Sequence, residues 1–206
     1  MEVLFESSST RIEKFRRDGV DLVRKIVRGR FAKALTKHEI TVLKRLKWIE
    51  WVQEFVEQES PTSFTSRFIP GKTLLEYEGR ELPEWVFEKL EAILEAVHHE
   101  WVADPDFAHS VDIIVTPEWN PVLIDLASAI IYDPKDWSQF WKKYLFQYFS
   151  KLNKLYLVKR KARFAPHLIT HQEQEALKQM WIGPKVAKYW RQFWRFVKKN
   201  PYFRKD

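Results

Sequence analysis

Apolar and polar residues alternate through the first third of the chain at the spacing of two that a half-buried strand requires. Val3–Phe5 makes a short strand. Arg11–Phe15 and Val20–Val27 flank the turn R-R-D-G, whose Asp-Gly pair predicts a β-hairpin. Residues 51–57 and 63–69 repeat the alternation, and Pro70-Gly71 ends the second run sharply. One interruption has the other period: Leu35, Ile40, Leu43 and Leu46 form a stripe that predicts a helix over 31–46. Beyond Leu82-Pro83 the period turns helical. Val86, Leu90, Ile93, Leu94 and Val97 predict a helix from Trp85 to about His99. Two short apolar runs, Ile113–Val115 and Val122–Ile124, then join through a Pro/Trp/Asn turn. Aromatic-rich helices follow over 137–152, over 172–181 after a basic link, and after Gly183-Pro184. The order predicts an α+β fold, β-rich first and helical second, with a cleft between the halves as the place for a site.

The second hairpin carries the chemistry. Asp112 stands just before its first strand and Asp125 just after its second, so the pairing brings the two carboxylates to one end, with Asp106 close upstream. Like charges that converge need a cation or a shared proton between them. Lys25 sits in an apolar strand on the pleat face of Val23 and Val27. Glu39 is the only acid in a basic helix. A lysine in such a strand is usually an edge charge, and a lone helical glutamate usually a weak surface ion pair; the sharper alternative is that Glu39 turns inward to Lys25. His98 and His99 end a helix and, being adjacent, cannot share a face, so a C-terminal capping role fits them better than metal binding.

Composition narrows the classes. The chain has no cysteine, which removes disulfides, thiol nucleophiles and Cys-ligated metal. It has no apolar run of membrane-spanning length and no signal-like start, so a cytoplasmic protein is expected. The net charge of +7 is uneven: residues 142–206 hold 17 Lys+Arg against 3 Asp+Glu, whereas residues 1–141 hold 18 against 25. The basic C-terminal part is the partner-facing one, suited to an anionic surface.

A strand lysine, a helix glutamate and three spaced aspartates in this order resemble the protein-kinase fold. Within it, R-F-I-P-G-K-T-L (67–74), V-L-I-D-L-A-S-A (122–129) and K-R-K-A-R-F-A-P-H-L-I-T (159–170) are similar to the small bacterial lipopolysaccharide kinases, including the 3-deoxy-manno-octulosonate kinases. The resemblance covers roughly residues 10–175. It implies a two-lobed minimal kinase-like domain: an N-lobe over 1–70, a truncated helical C-lobe over 71–183, and a basic aromatic helix over 184–206. It also implies roles: Lys25 on the phosphates of ATP, Glu39 as its partner, Asp106 as the catalytic-loop carboxylate and Asp125 as the Mg²⁺ ligand. Asp112 stands where a second metal-binding residue is expected, one position later than the usual spacing from Asp106.

The departures are specific. No G-x-G-x-x-G occurs, so Ser7-Ser8-Ser9-Thr10 stands where the phosphate-covering glycines would be. Asp104-Pro105 replaces the His-Arg of the catalytic loop, and Leu126-Ala127 replaces Phe-Gly. The expected activity is ATP- and Mg²⁺-dependent phosphorylation of a hydroxyl on a lipopolysaccharide-core or related sugar. The alternatives are a protein Ser/Thr acceptor and a catalytically dead kinase fold acting as a binding or scaffold module. The stripe Val186, Tyr189, Trp190, Phe193, Trp194 and Val197 with its flanking lysines and arginines either packs on the helical lobe or lies on the anionic cytoplasmic membrane face. Nucleic-acid binding lacks any supporting motif.

Overall fold

A computed structural model describes residues 1–80, 82–107 and 109–178. The helices expected at 184–206 and at the end of 172–181 lie outside the described residues.

The chain opens with β1 (Glu2–Glu6), β2 (Thr10–Arg17) and β3 (Val20–Val27). Asp18 and Gly19 both adopt positive φ, 51° and 78°, the conformation that a two-residue hairpin turn demands. After helix α1 (Ala32–Arg45) come β4 (Phe55–Ser60) and β5 (Ser63–Arg67), which complete a five-stranded antiparallel sheet of order β1-β2-β3-β5-β4. Residues 51–57 were expected as one strand. Instead β4 begins at Phe55, because the preceding backbone is diverted: Trp51 and Gln53 bond across to Leu123, and Val52 makes a parallel bridge there.

The remainder is mostly helical. β6 (Lys72–Thr73) leads through a 3₁₀ turn at Leu74–Tyr77 to helix α2 (Glu84–His99). Gly71, at φ 149°, sits so close to Ile114 and Val115 that any Cβ would press into the Val115 carbonyl. Then come β7 (Val102–Ala103), the hairpin strands β8 (Ile113–Val115) and β9 (Pro121–Leu123), and β10 (Ile130–Ile131). Helix α3 runs from Phe140 to Phe164, and α4 from His171 to Lys178. The basic link expected after residue 152 is helical: Tyr156, Leu157, Arg160 and Phe164 are buried on one face, and their spacing carries the helix through the lysines. No helix among the described residues is long and apolar enough to cross a membrane.

One core joins the two parts. Leu43 and Phe64 from the N-terminal half share a cluster with Leu90, Leu94, Phe149 and Leu152 from the helices. Helix α1 is also pinned to the second half by polar contacts. His38 Nε2 donates to the Ala129 carbonyl (2.6 Å), and Arg45 Nε to the Glu100 carbonyl (2.6 Å). His98 does not cap α2. Its ring turns into the α2–α3 interface, edge-on to Phe146 at 6.3 Å, and burial pushes its pKa down to about 4, so the ring is neutral at pH 7. A neutral ring has no charge to offer the helix end.

Candidate functional site

The junction between the sheet and the helical part gathers the charged residues. On β3, Lys25 shares the inward face with Val23 and Val27, which leaves its side chain only 11% exposed. Helix α1 packs on the sheet through Thr36, Glu39, Ile40 and Leu43, a buried stripe in which Glu39 takes an apolar position. Its carboxylate, on a residue 1% exposed, meets Lys25 Nζ at 2.7 Å. The same ammonium reaches Asp125 Oδ1 at 2.6 Å, a residue 100 positions away. Burial alone would lower the pKa of Lys25; the two carboxylates outweigh it and hold the ammonium above the ordinary lysine value. Lys25 therefore stays charged at any physiological pH.

Asp125 leaves β9 in the left-handed region at φ 54°, a strained conformation for a residue with a Cβ. The strain turns its side chain, 51% exposed, back toward Lys25. β8 and β9 pair Ile113 with Leu123, and Ile124 N donates to the Asp112 carbonyl (2.9 Å), which sets Asp112 beside Asp125. Burial pushes the Asp112 carboxyl up to about 8, reinforced by Asp125, Asp104 and Asp106 and opposed by Arg160. Asp106 is half-buried on the loop after β7. Its backbone N–H donates to Asp104 Oδ1 (3.0 Å), so the loop is braced from within.

Asp104, noted in the sequence only as a departure from the catalytic-loop pattern, is 4% exposed and is the hub of this brace. Ser128 Oγ donates to Asp104 Oδ1 at 2.6 Å, tying the Asp106 loop to the segment that follows Asp125. Burial pushes the Asp104 carboxyl up to about 7, with Asp106 adding to the rise and the Ser128 hydroxyl opposing it. Asn153 on α3, its amide oriented so that both ends are satisfied, donates to the Phe149 and Asp104 carbonyls (3.0 and 2.8 Å) and accepts from the Asp104 N–H (3.2 Å). Arg160, also on α3, donates from Nη2 to the carbonyls of Phe107 and His109, the latter at 3.0 Å. Asn153 and Arg160 were not singled out in the sequence. The available signal was a polar pair seven apart on the buried stripe of an aromatic helix.

No protein-family model matches this chain, and comparison with curated proteins finds no match. The geometry and the sequence pattern therefore carry the functional argument.

A hard divalent cation suits Asp112 and Asp125. Carboxylate oxygens are its ligands, and a positive charge between them would relieve the repulsion that contributes to holding Asp112 protonated. Among the described residues no group of three or more His, Asp or Glu side chains is arranged to hold a metal.

The turn between β1 and β2 is closed on itself. Ser7 Oγ accepts from the N–H groups of Ser9 (3.3 Å) and Thr10 (3.0 Å) and donates to the Thr10 carbonyl (3.2 Å). Those two amides already have an acceptor, unlike the open amides of a glycine-rich phosphate loop.

Proposed function

We propose that the chain is an ATP-dependent phosphotransferase with an alcohol acceptor, built as a minimal two-lobed protein-kinase-like domain. The observation that carries this reading is the Glu39–Lys25–Asp125 cluster: a buried ammonium held between a helix carboxylate and a half-exposed carboxylate at the end of a hairpin. A purely structural ion pair has no need of a third member in a strained backbone conformation. A nucleotide phosphate site needs this set: a fixed cation for the phosphates, an acid that orients it, and a carboxylate able to leave it for a metal.

In this reading Lys25 binds the phosphates of ATP while Glu39 holds the ammonium in place. Asp125 and Asp112 would hold Mg²⁺, which would supply charge neutralisation for the transferring phosphoryl group. Asp106 lies one residue past Pro105 on the braced loop and accepts the proton of the attacking hydroxyl. The acceptor oxygen forms its bond to the γ-phosphorus as the bond to ADP breaks, so the work of the protein is positioning and charge neutralisation. The acceptor class, a hydroxyl of a lipopolysaccharide-core or related sugar, rests on the sequence resemblance, as does action at the cytoplasmic face of a membrane. A catalytically dead kinase fold acting as a binding or scaffold module is the second reading, favoured by the self-closed Ser7–Thr10 turn.

Transfer of labelled γ-phosphoryl from ATP to lipopolysaccharide core, compared between wild type and Asp125→Ala, tests the assignment. Loss of transfer in a folded variant is the expected result. Normal turnover in Asp125→Ala would remove it.

A further inference from the structure

We infer that Arg160, far along α3, is the positioning residue of the loop that carries Asp106, and that it takes over the fixing of a loop whose own residues 104–105 are Asp-Pro. The inference rests on the phosphotransferase reading for its catalytic consequence, and on geometry alone for its structural one.

Arg160 is 4% exposed, an unusual place for a guanidinium that pairs with no carboxylate among the described residues. Its Nη2 spans two carbonyls, those of Phe107 and His109, which lie on either side of residue 108. Its guanidinium carbon stands 4.3 Å from the centre of the Phe107 ring. Nε and Nη1 are buried and have no hydrogen-bond partner among the described residues. Burying a charge with donors unsatisfied is costly, so the arrangement persists only if what it grips matters. What it grips is short and consequential. The His109 N–H bonds the Asp106 carbonyl (2.9 Å), and the Asp112 N–H bonds the His109 carbonyl (3.3 Å). Fixing the carbonyls of 107 and 109 thus fixes the spacing between Asp106 and Asp112.

Burial pushes the Arg160 pKa down to about 10, with Asp112 and Asp104 acting the other way, so the cation stays charged. Both carbonyls are bonded by the one Nη2, whose two hydrogens are fixed in the guanidinium plane and so set the angle between them, whereas an ammonium that rotates on a flexible stem does not. The requirement is for arginine, not for positive charge.

The test uses the full chain as wild type, Arg160→Lys and Arg160→Met, with Mg²⁺-ATP as the probe. Amide hydrogen exchange over residues 104–112 should accelerate about 10-fold or more in both variants while β3 and α1 peptides are unchanged. Mg²⁺-ATP affinity should stay within about twofold, and ADP release should fall about 100-fold, as for a reacting group displaced by an ångström. Arg160→Lys should not restore it. Unchanged loop exchange, recovery by Arg160→Lys, or a proportional fall of affinity and rate would each overturn the inference. Should Arg160→Met not fold, Arg160→Lys carries the same comparison. If wild type itself binds no Mg²⁺-ATP, the phosphotransferase reading fails separately, and loop exchange alone decides the positioning role.

Discussion

Replacing Lys25 by Met separates what the buried ion cluster does for stability from what it does for a ligand. The substitution keeps most of the side-chain volume and removes the charge that Glu39 faces at 2.7 Å. Glu39, 1% exposed, must then either remain ionised without its ammonium or take up a proton. Protonation is the cheaper route and sets the ceiling. From an ordinary glutamate pKa of about 4.3, neutralising the group at pH 7 costs about 4 kcal/mol at 1.36 kcal/mol per unit. That agrees with the roughly 3–5 kcal/mol found when one partner of a buried pair is removed. The penalty shrinks to about 1 kcal/mol at pH 5, because an acid with a raised folded pKa loses stability as pH rises. Asp125 adds little, since its half-exposed carboxylate can turn to water. For a chain of this size about 4 kcal/mol corresponds to a Tm drop of roughly 8–16 °C. The double variant Lys25→Met/Glu39→Leu should recover most of it, since a buried pair exchanged for apolar groups is often neutral. Urea denaturation of wild type and both variants at pH 5 and pH 7 measures these free energies. A single variant as stable as wild type at pH 7, or a double variant no better than the single, would refute the reasoning.

Two further outcomes follow from the site. Asp106→Asn should leave Mg²⁺-ATP affinity unchanged and reduce phosphoryl transfer by about 10²–10⁴, the range for loss of a proton acceptor; equal losses in binding and rate would place Asp106 elsewhere. Stability should fall as pH rises from about 6.5 to 8, because folded Asp112 and Asp104, raised to about 8 and about 7, still hold protons that the unfolded chain has lost. His98, lowered to about 4, acts with the opposite sign only below about 6.5. Asp112→Asn should flatten that slope in urea titrations, and a slope unchanged by the substitution would contradict the burial of the Asp112 carboxyl.

The parts of the fold legible in the sequence are those decided by neighbours along the chain. Asp18-Gly19 specifies its hairpin by turn chemistry, and the stripe through Ile40 and Leu43 specifies α1. The same stripe made Glu39 visible, since a carboxylate at an apolar position must have a partner, and the face of Lys25 pointed to it. The hairpin of β8 and β9 brought Asp112 and Asp125 together for the same local reason. The rest depends on tertiary partners. Nothing near Trp51 announces that its backbone will be captured by Leu123. Nothing near Asp106 announces that α3, some 50 residues on, holds its loop through Asn153 and Arg160. The lysines at 159 and 161 disguised the buried face they flank, so the helix was expected to stop before it reached Arg160. Sequence pattern thus conveys the charged residues of the site better than it conveys their supports.

Lys25, Glu39 and Asp125 are proposed to form a metal–nucleotide phosphate site. Thermal unfolding of wild type and Asp125→Asn, with and without saturating Mg²⁺-ATP, tests it most directly. Ligand at about 100 times its Kd contributes about 2.7 kcal/mol to the folded state, a rise of roughly 5–11 °C for a chain of this length. That rise is expected in wild type, with none in ATP plus excess chelator and none in Asp125→Asn. No shift in wild type, or an equal shift in Asp125→Asn, would contradict it.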